Sequence, residues 1–498
     1  MLKIAAMLSA GMAATLYTDG WCTPTVCFAS CLATLLLALA SHRHEWLQSI
    51  LLLLTCFLLG TFLMSRAEQR LQVSLPASPV EYRAVVSSEP VRRGKVVQCD
   101  LLMVGNDDPV KVRASILCDT IAKRFERLHV GSGIEAYSQL MSIGQGGASL
   151  QGYRRWLHSQ GYQAQTFIFY SDWHEASVAL TSLSMVQRSR LTLLQLRKRL
   201  LERLSSGDSE DNGLAVVEAM FFGDKSQLSK DLKNDYSIAG SSHILAISGL
   251  HLSILYGFLL FFFRRWRRSV PFLSLAILVV WAYVLLVGMP ASAVRAAIML
   301  TICTMVLMLH RRAVSLNTLS FAAILMLMVN PLNLFDVGFQ LSFAAVFAIL
   351  LWMPLAEPLF RWRTTAWWAS SLRAVCGLLA VSLAAQLGTA PLVAYYFGRF
   401  SCYFLLTNLI AIPFAYLLLL MMVLTLLAIP IPALLSVFLS VTAYLANLLN
   451  TAMHAVAHLP GASIDHLHPS AVQVLLIYVL LLTFHFICKI VIRRMKVS

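Results

Sequence analysis

The sequence predicts a polytopic α-helical membrane protein, with about 12 spans, carrying a small extracytoplasmic β-barrel of the OB type. Three observations lead there. First, 58% of the residues are hydrophobic and 13% charged, with a mean hydropathy of +0.72. A soluble core does not absorb that balance. Second, apolar runs at 47–64, 270–288, 338–353, 404–429 and 470–488 approach or exceed the roughly 20 residues that cross a bilayer. Third, the stretch at about 70–175 breaks the pattern with alternating apolar and polar positions.

The N-terminal unit, residues 1–69, holds spans near 4–18, 23–40 and 47–65. The first lacks a signal-peptidase pattern and is read as a retained helix. Lys3 and the His42–His44 turn lie on one side, Thr18–Cys22 on the other. An odd number of crossings from a cytoplasmic start places residue 66 outside, so 70–175 is expected to be extracytoplasmic.

Within that region Val80, Tyr82, Ala84 and Val86 alternate with polar residues, and Arg93–Gly94 signals a turn before VVQCDLLMV. A second turn at 106–109 precedes VKVRASILC, and runs at 128–141 and 161–170 add further strands. About five short strands with Gly-rich turns fit an OB-like barrel; a β-sandwich is the alternative. Cys99 and Cys118 fall in these runs, and an oxidising compartment would permit a disulfide between them.

Residues 176–242 form a linker. Its segment 186–204 is an amphipathic basic helix, of the kind that lies in the headgroup plane. A loop at 205–213 and a mostly helical stretch at 214–240 follow. The last region, 243–492, holds about nine spans, those near 318–329 and 433–456 being short or polar enough to be re-entrant.

Formal net charge is +15, and its distribution encodes orientation. Lys3, Arg43, Arg264–Arg268, Arg311–Arg312, Arg361, Arg363 and Lys489–Lys496 alternate with loops at 18–22, 330–337 and 459–469 that carry no Lys or Arg. This is the positive-inside pattern, and it puts both termini in the cytoplasm. Surplus positive charge would suit a polyanionic substrate without demonstrating one.

Polar groups inside the spans are the functional candidates, because hydrocarbon penalises them. SHILAISGLHLSILYG at 242–257 holds His243, Ser248, Gly249 and His251 in an apolar run, which reads as a broken, cavity-lining helix. Ser292 and Arg295 sit on one face of the following MPASAVRAAIML segment. Snorkelling is the plain alternative for Arg295. Asp336 and Gln340 lie at a helix mouth, where Asp336 has capping as a sufficient explanation. Gln386 precedes the aromatic cluster Tyr395–Phe397, and Asn408 precedes Pro413 in one span. None of the ten cysteines forms a CxxC pair. No metal-ligand spacing, cofactor motif or catalytic constellation is read from the chain.

Those blocks, with NPLNLFDVGFQLSFAAVF at 330–347, AAQLGTAPLVAYYFGRF at 384–400, NLIAIPFAY at 408–416 and GYRRWLHSQGYQAQ at 152–165, resemble the competence domain and OB-like domain of ComEC-type DNA-uptake proteins. The resemblance implies a bacterial inner-membrane channel that passes single-stranded DNA to the cytoplasm during natural transformation. It also implies a periplasmic DNA receptor and a cytoplasmic DNA-translocating or DNA-protecting protein as partners, besides membrane lipids. Arg92, Arg93, Lys95, Arg154, Arg155 and Trp156 would then supply cations and a stacking surface for DNA on the OB-like domain. Longer members end in a metallo-β-lactamase-like domain with an HxHxDH signature. Here only Asp465–His468 resembles it, in a short loop, so neither a zinc site nor nuclease chemistry is expected there. The residues alone leave two rivals open: an intramembrane enzyme using His243, Ser248, His251 and Arg295, and a small-solute transporter, for which an internal repeat would be expected.

Overall fold

The computed structural model describes residues 1–17, 23–71, 75–105, 110–119, 123–143, 156–178, 183–204, 211–266, 269–308, 316–360 and 367–495. The expected turn at 106–109, most of the loop at 205–213, Thr18–Cys22, Arg154 and Arg155 lie outside the described residues. The chain forms two compact units, Met1–Arg199 with Ser320–Asp336, and Leu200–Leu319 with Val337–Ser498.

In the first unit α1 (Leu2–Tyr17) and α2 (Pro24–Ala40) both pack against α3 (Glu45–Leu71). Lipid tails are as apolar as leucine, so close approach rather than hydrophobic drive holds such helices. Glycine permits it here: a Cβ on Gly60 would lie 2.2 Å from the Leu8 carbonyl oxygen, and one on Gly11 only 1.9 Å from that of Phe57. The two backbones touch.

The sheet of this unit comprises β1 (Val80–Val86), β2 (Val91–Arg93), β3 (Val96–Val104), β4 (Val110–Leu117), β5 (Gly133–Ser138), β6 (Leu140–Ser142), β7 (Ala164–Ile168) and β8 (Trp173–Glu175). β1, β3 and β4 pair antiparallel, and β4 pairs parallel with β7. One strand bends at Gln139: β5 before the bend pairs with β1, and β6 after it pairs with β7. The sheet therefore curls onto itself in the OB-like manner, with a short 3₁₀ turn (Arg124–Arg127) between β4 and β5. A hydroxyl chain spans the curl, Tyr82 Oη to Ser138 Oγ at 2.8 Å and Ser138 Oγ to Thr166 Oγ1 at 2.7 Å. Val112, Ala114 and Ile116 turn inward while Lys111, Arg113 and Ser115 do not, as the period of two requires.

One polar group is built into this domain. Arg113 Nη1 donates to Asp100 Oδ1 at 2.5 Å, and Tyr162 Oη donates to Asp100 Oδ2 at 2.8 Å. Lys111 Nζ stands 4.0 Å from the centre of the Tyr162 ring, and burial lowers its ammonium to about 8. Burial first, then the Asp100 charge, drives the Tyr162 phenol well above its ordinary value.

The expected disulfide is not formed. Cys99 and Cys118 are both free thiols, and the β3–β4 register pairs Cys99 with Ala114. Cys118 instead bonds back to Lys95, four residues farther along the ladder, or about 13 Å. A bridge needs Cα atoms within about 7 Å. Cys99 is fully buried, and burial followed by the neighbouring Asp100 charge pushes its thiol up to about 12. Iodoacetamide at pH 8 is therefore expected to leave Cys99 unmodified in the folded protein and to modify it after denaturation. Modification of the native thiol at the rate of an exposed cysteine would contradict this burial.

The amphipathic helix α4 (Met185–Leu204) packs on this sheet. Its Leu191 is buried with Val85, Leu102, Val130 and Leu183, and Gln195 Nε2 donates to the Val130 carbonyl at 3.1 Å. Lys198 pairs with Glu89 at 3.5 Å. Within this unit Leu191 and Leu194 of the helix cover the sheet.

The second unit starts with α5 (Asn212–Phe221), capped by Asp211, and α6 (Lys230–Ile238), capped by Ser229. There follow α7 (Gly249–Phe262), α8 (Val270–Leu286), α9 (Ala291–Met308) and α10 (Leu316–Val329), the last crossing the boundary between units. Then come α11 (Val337–Ala356), α12 (Trp367–Phe397), α13 (Phe404–Ala428), α14 (Pro432–Ala457) and α15 (Ala471–Met495). A two-residue ladder joins β9 (Phe400–Ser401) to β10 (Ser463–Ile464).

Each span read from the sequence contains a helix. Seven helices among the described residues are long and apolar enough to cross a membrane: α3, α9 and α11 through α15. α1, α2, α7, α8 and α10 are apolar but of 14–17 residues, so the count of about 12 crossings is not fixed by length. α14 runs for 26 residues, long enough to span without re-entry.

Candidate functional site

The second unit interrupts its helices where the sequence places imidazoles and a hydroxyl. Between α6 and α7, residues 241–248 are not helical, and α7 begins only at Gly249. At 14 residues, α7 is about 21 Å long, short of the roughly 30 Å hydrocarbon core. Freed backbone groups in such a segment need protein partners or water. Ser292 Oγ on α9 supplies one partner, donating to the Ile247 carbonyl at 2.5 Å.

The start of α7 is a capping box in which histidine takes the usual Glu or Gln position. The Ser248 N–H donates to His251 Nδ1 at 3.2 Å, and the Ser248 hydroxyl lies 2.9 Å from the same nitrogen. With Nδ1 accepting, the neutral ring carries its proton on Nε2. His251 is 1% exposed, and Nε2 has no hydrogen-bond partner in the structure. That ring lines a cavity with Phe221, Ile254, Phe258, Tyr283 and Leu419, which holds little more than one water-sized sphere. His251 therefore offers a buried donor beside an apolar pocket, a position costly unless something polar visits it.

Arg295 is 4% exposed on α9, on the face that buries Ala293, Ala296 and Ala297. Burial of that extent excludes snorkelling to the surface. A Cβ on Gly249 would come 3.5 Å from Ala296 Cβ, so the start of α7 abuts α9 one residue from Arg295. His243 is exposed in the irregular segment and close enough to His251 for electrostatic interaction. Ser248, Gly249, His251, Ser292 and Arg295 thus gather where α7 meets α9.

Two of the remaining candidates lie on helices packed against this pair: α11, which carries Gln340, packs on α9, and α13, which carries Asn408, packs on α7. Tyr396 Oη on α12 donates to Gln340 Oε1 at 2.8 Å, joining two residues of separate sequence blocks. α11 and α12 cross closely, since a Cβ on Gly388 would lie 2.4 Å from the Ala344 carbonyl oxygen. Gln386 is half-buried on α12. Asn408 Oδ1 on α13 is buried with no hydrogen-bond partner in the structure. Asp336 belongs to the first unit and accepts from Gln160 Nε2 at 3.3 Å.

On the OB-like domain, Arg92, Arg93 and Lys95 are exposed around the Gly94 turn, where φ is +64°. Trp156 is 39% exposed and 6.4 Å from Tyr162. Arg154 and Arg155 lie outside the described residues, so the group is placed only in part. Lys111, bonded to the Gln160 carbonyl beside Trp156, pairs with Leu102, whereas the Arg93 turn adjoins Val96. Six residues of ladder separate them, about 20 Å.

Sequence reading missed several polar ties. Thr304 donates to Tyr256 Oη at 2.8 Å between α9 and α7, and Tyr236 donates to Asn450 at 2.9 Å between α6 and α14. Arg399 pairs with Asp465 beside the β9–β10 ladder. For Thr304 and Tyr256 a hydroxyl in each of two apolar segments was the available signal, but partners remote in sequence cannot be matched without the fold.

The sequence profile of the family described as Competence protein matches residues 220–489, more than half of the chain. ComE operon protein 3 of Bacillus subtilis is 26% identical over 386 residues, 76% of this chain and 46% of its own length. Recombination protein 2 of Haemophilus influenzae is 24% identical over 300 residues, 58% of this chain and 37% of its own. The uncharacterized protein YcaI of Escherichia coli is 26% identical over 210 residues, 40% and 27% respectively. The chain spans less than half the length of these relatives. No solved structure matches it.

Proposed function

The chain belongs to the Competence protein family, and on that premise we propose that it carries single-stranded DNA across the bacterial inner membrane during natural transformation. Both termini are assigned to the cytoplasm and the OB-like domain to the periplasmic side. The observation that carries this reading is the buried polar group at the α7–α9 contact, above all Arg295 at 4% exposure and the His251 Nε2 donor. A strand of DNA needs weak, repeated contacts along its path. One guanidinium for passing phosphates, with neutral donors around it, meets that need better than a dense cationic cage.

The cavity at His251 admits little more than a water, far less than a nucleotide. Passage of a strand would need this place to widen, and in this reading it does so at the irregular segment 241–248. Exposed Arg92, Arg93 and Lys95 would meet the strand first, through salt-sensitive phosphate contacts.

The test is the location of labelled donor DNA in a naturally transformable host. Deletion of the gene should leave DNA bound or periplasmic, with none protected in the cytoplasm. Cytoplasmic DNA at the parental level in the deletion strain would refute the assignment.

A further inference from the structure

The geometry points to a binding site for a divalent transition metal of the Zn²⁺ class formed by Asp235, His454 and His458. The two histidines lie at the C-terminal end of α14, at positions i and i+4, so they project from one face of the helix. Their ring centres are 4.0 Å apart. Asp235 lies on α6, which packs on α14, and its Oδ2 is 2.8 Å from His454 Nδ1. One ligand atom from each of the three residues lies within 4.8 Å of the other two. Donors bound to one ion at about 2.0–2.2 Å sit somewhat closer than that, so small rotations of the exposed imidazoles complete the set.

The donor chemistry selects the ion. Two imidazoles and a carboxylate suit Zn²⁺, Co²⁺ or Ni²⁺, whereas Mg²⁺ and Ca²⁺ prefer oxygen alone. A histidine pair at i and i+4 is the spacing by which helices present two ligands to zinc. His458 Nδ1 lies 2.8 Å from the His454 carbonyl; donation there fixes the tautomer and leaves Nε2 for the metal.

The surroundings hold the three residues in place without an ion. Tyr236, next to Asp235, is fully buried and bonds Asn450, one turn before His454. Asn234 and Ser237 on α6 both accept from Arg399 Nη1 at 3.2 Å. α6 is thereby held from two sides in the register that turns Asp235 toward the histidines. His454 and His458 are exposed, so a bound ion keeps an outward position for water or an anionic oxygen. The ion would clamp α6 to the end of α14.

Cobalt titration of the purified full-length protein, carried on a tag without histidine and stripped with chelator, tests this. We expect saturable binding of one Co²⁺ per chain with visible d–d absorption, displaced by Zn²⁺. Asp235→Asn, His454→Ala and His458→Ala should each weaken it roughly tenfold or more. Both histidines are exposed, so their variants keep the fold, which circular dichroism and gel filtration verify. Absence of saturable binding, or wild-type affinity retained in any of the three variants, overturns the three-residue site.

Discussion

Replacing Arg295 by leucine is expected to reduce transformation to the level of a deletion strain, while DNA still accumulates outside the cytoplasm. Leucine keeps the apolar surroundings and helix propensity of α9, so the change removes the guanidinium with little loss of packing. The protein should be present at wild-type abundance and extract as one species, which immunoblotting and gel filtration check. Arg295→Lys should recover part of the activity, because an ammonium can meet a phosphate as a point charge without the planar fork. A side chain at 4% exposure makes no contribution from the lipid surface. Wild-type transformation in Arg295→Leu would therefore reassign the residue to a buried structural role.

The second large effect is structural. Asp100→Ala should destabilise the OB-like domain by about 3 kcal/mol, because it leaves Arg113 largely buried without its carboxylate. Asp100 accepts from both Arg113 and Tyr162, so Asp100→Asn should cost less. Cys99 provides the reporter, being buried one residue from Asp100 on the same strand. A loss of about 3 kcal/mol raises the population of opened molecules roughly a hundredfold, and with it the rate of Cys99 alkylation. An unchanged rate in Asp100→Ala would show that this group does not hold the sheet.

The contrast between these two sites shows what the sequence revealed and what it hid. Each predicted span contains a helix, because apolar composition and length report on lipid without reference to partners. The strands of the OB-like domain were legible for a similar reason: Val112, Ala114 and Ile116 alternate with polar neighbours. Pairing was not legible. Cys99 and Cys118 look well placed for a bridge until the register sets them about 13 Å apart along the ladder. The amphipathic α4 buries Leu191 against the sheet, a packing partner that amphipathic composition alone does not name. His454 and His458 carry a spacing visible in one dimension, but it lay within an apolar span and its carboxylate partner is Asp235, far away in sequence.

The central claim is that DNA passes beside the irregular segment that precedes α7. A photoreactive amino acid at position 243, which is exposed in that segment, tests it during uptake of labelled DNA, with position 427 on α13, 71% exposed on an apolar surface, as the control. The account predicts DNA cross-linked at 243 and not at 427. Cross-linking absent at 243 in cells that transform normally, or equal at both positions, would contradict it.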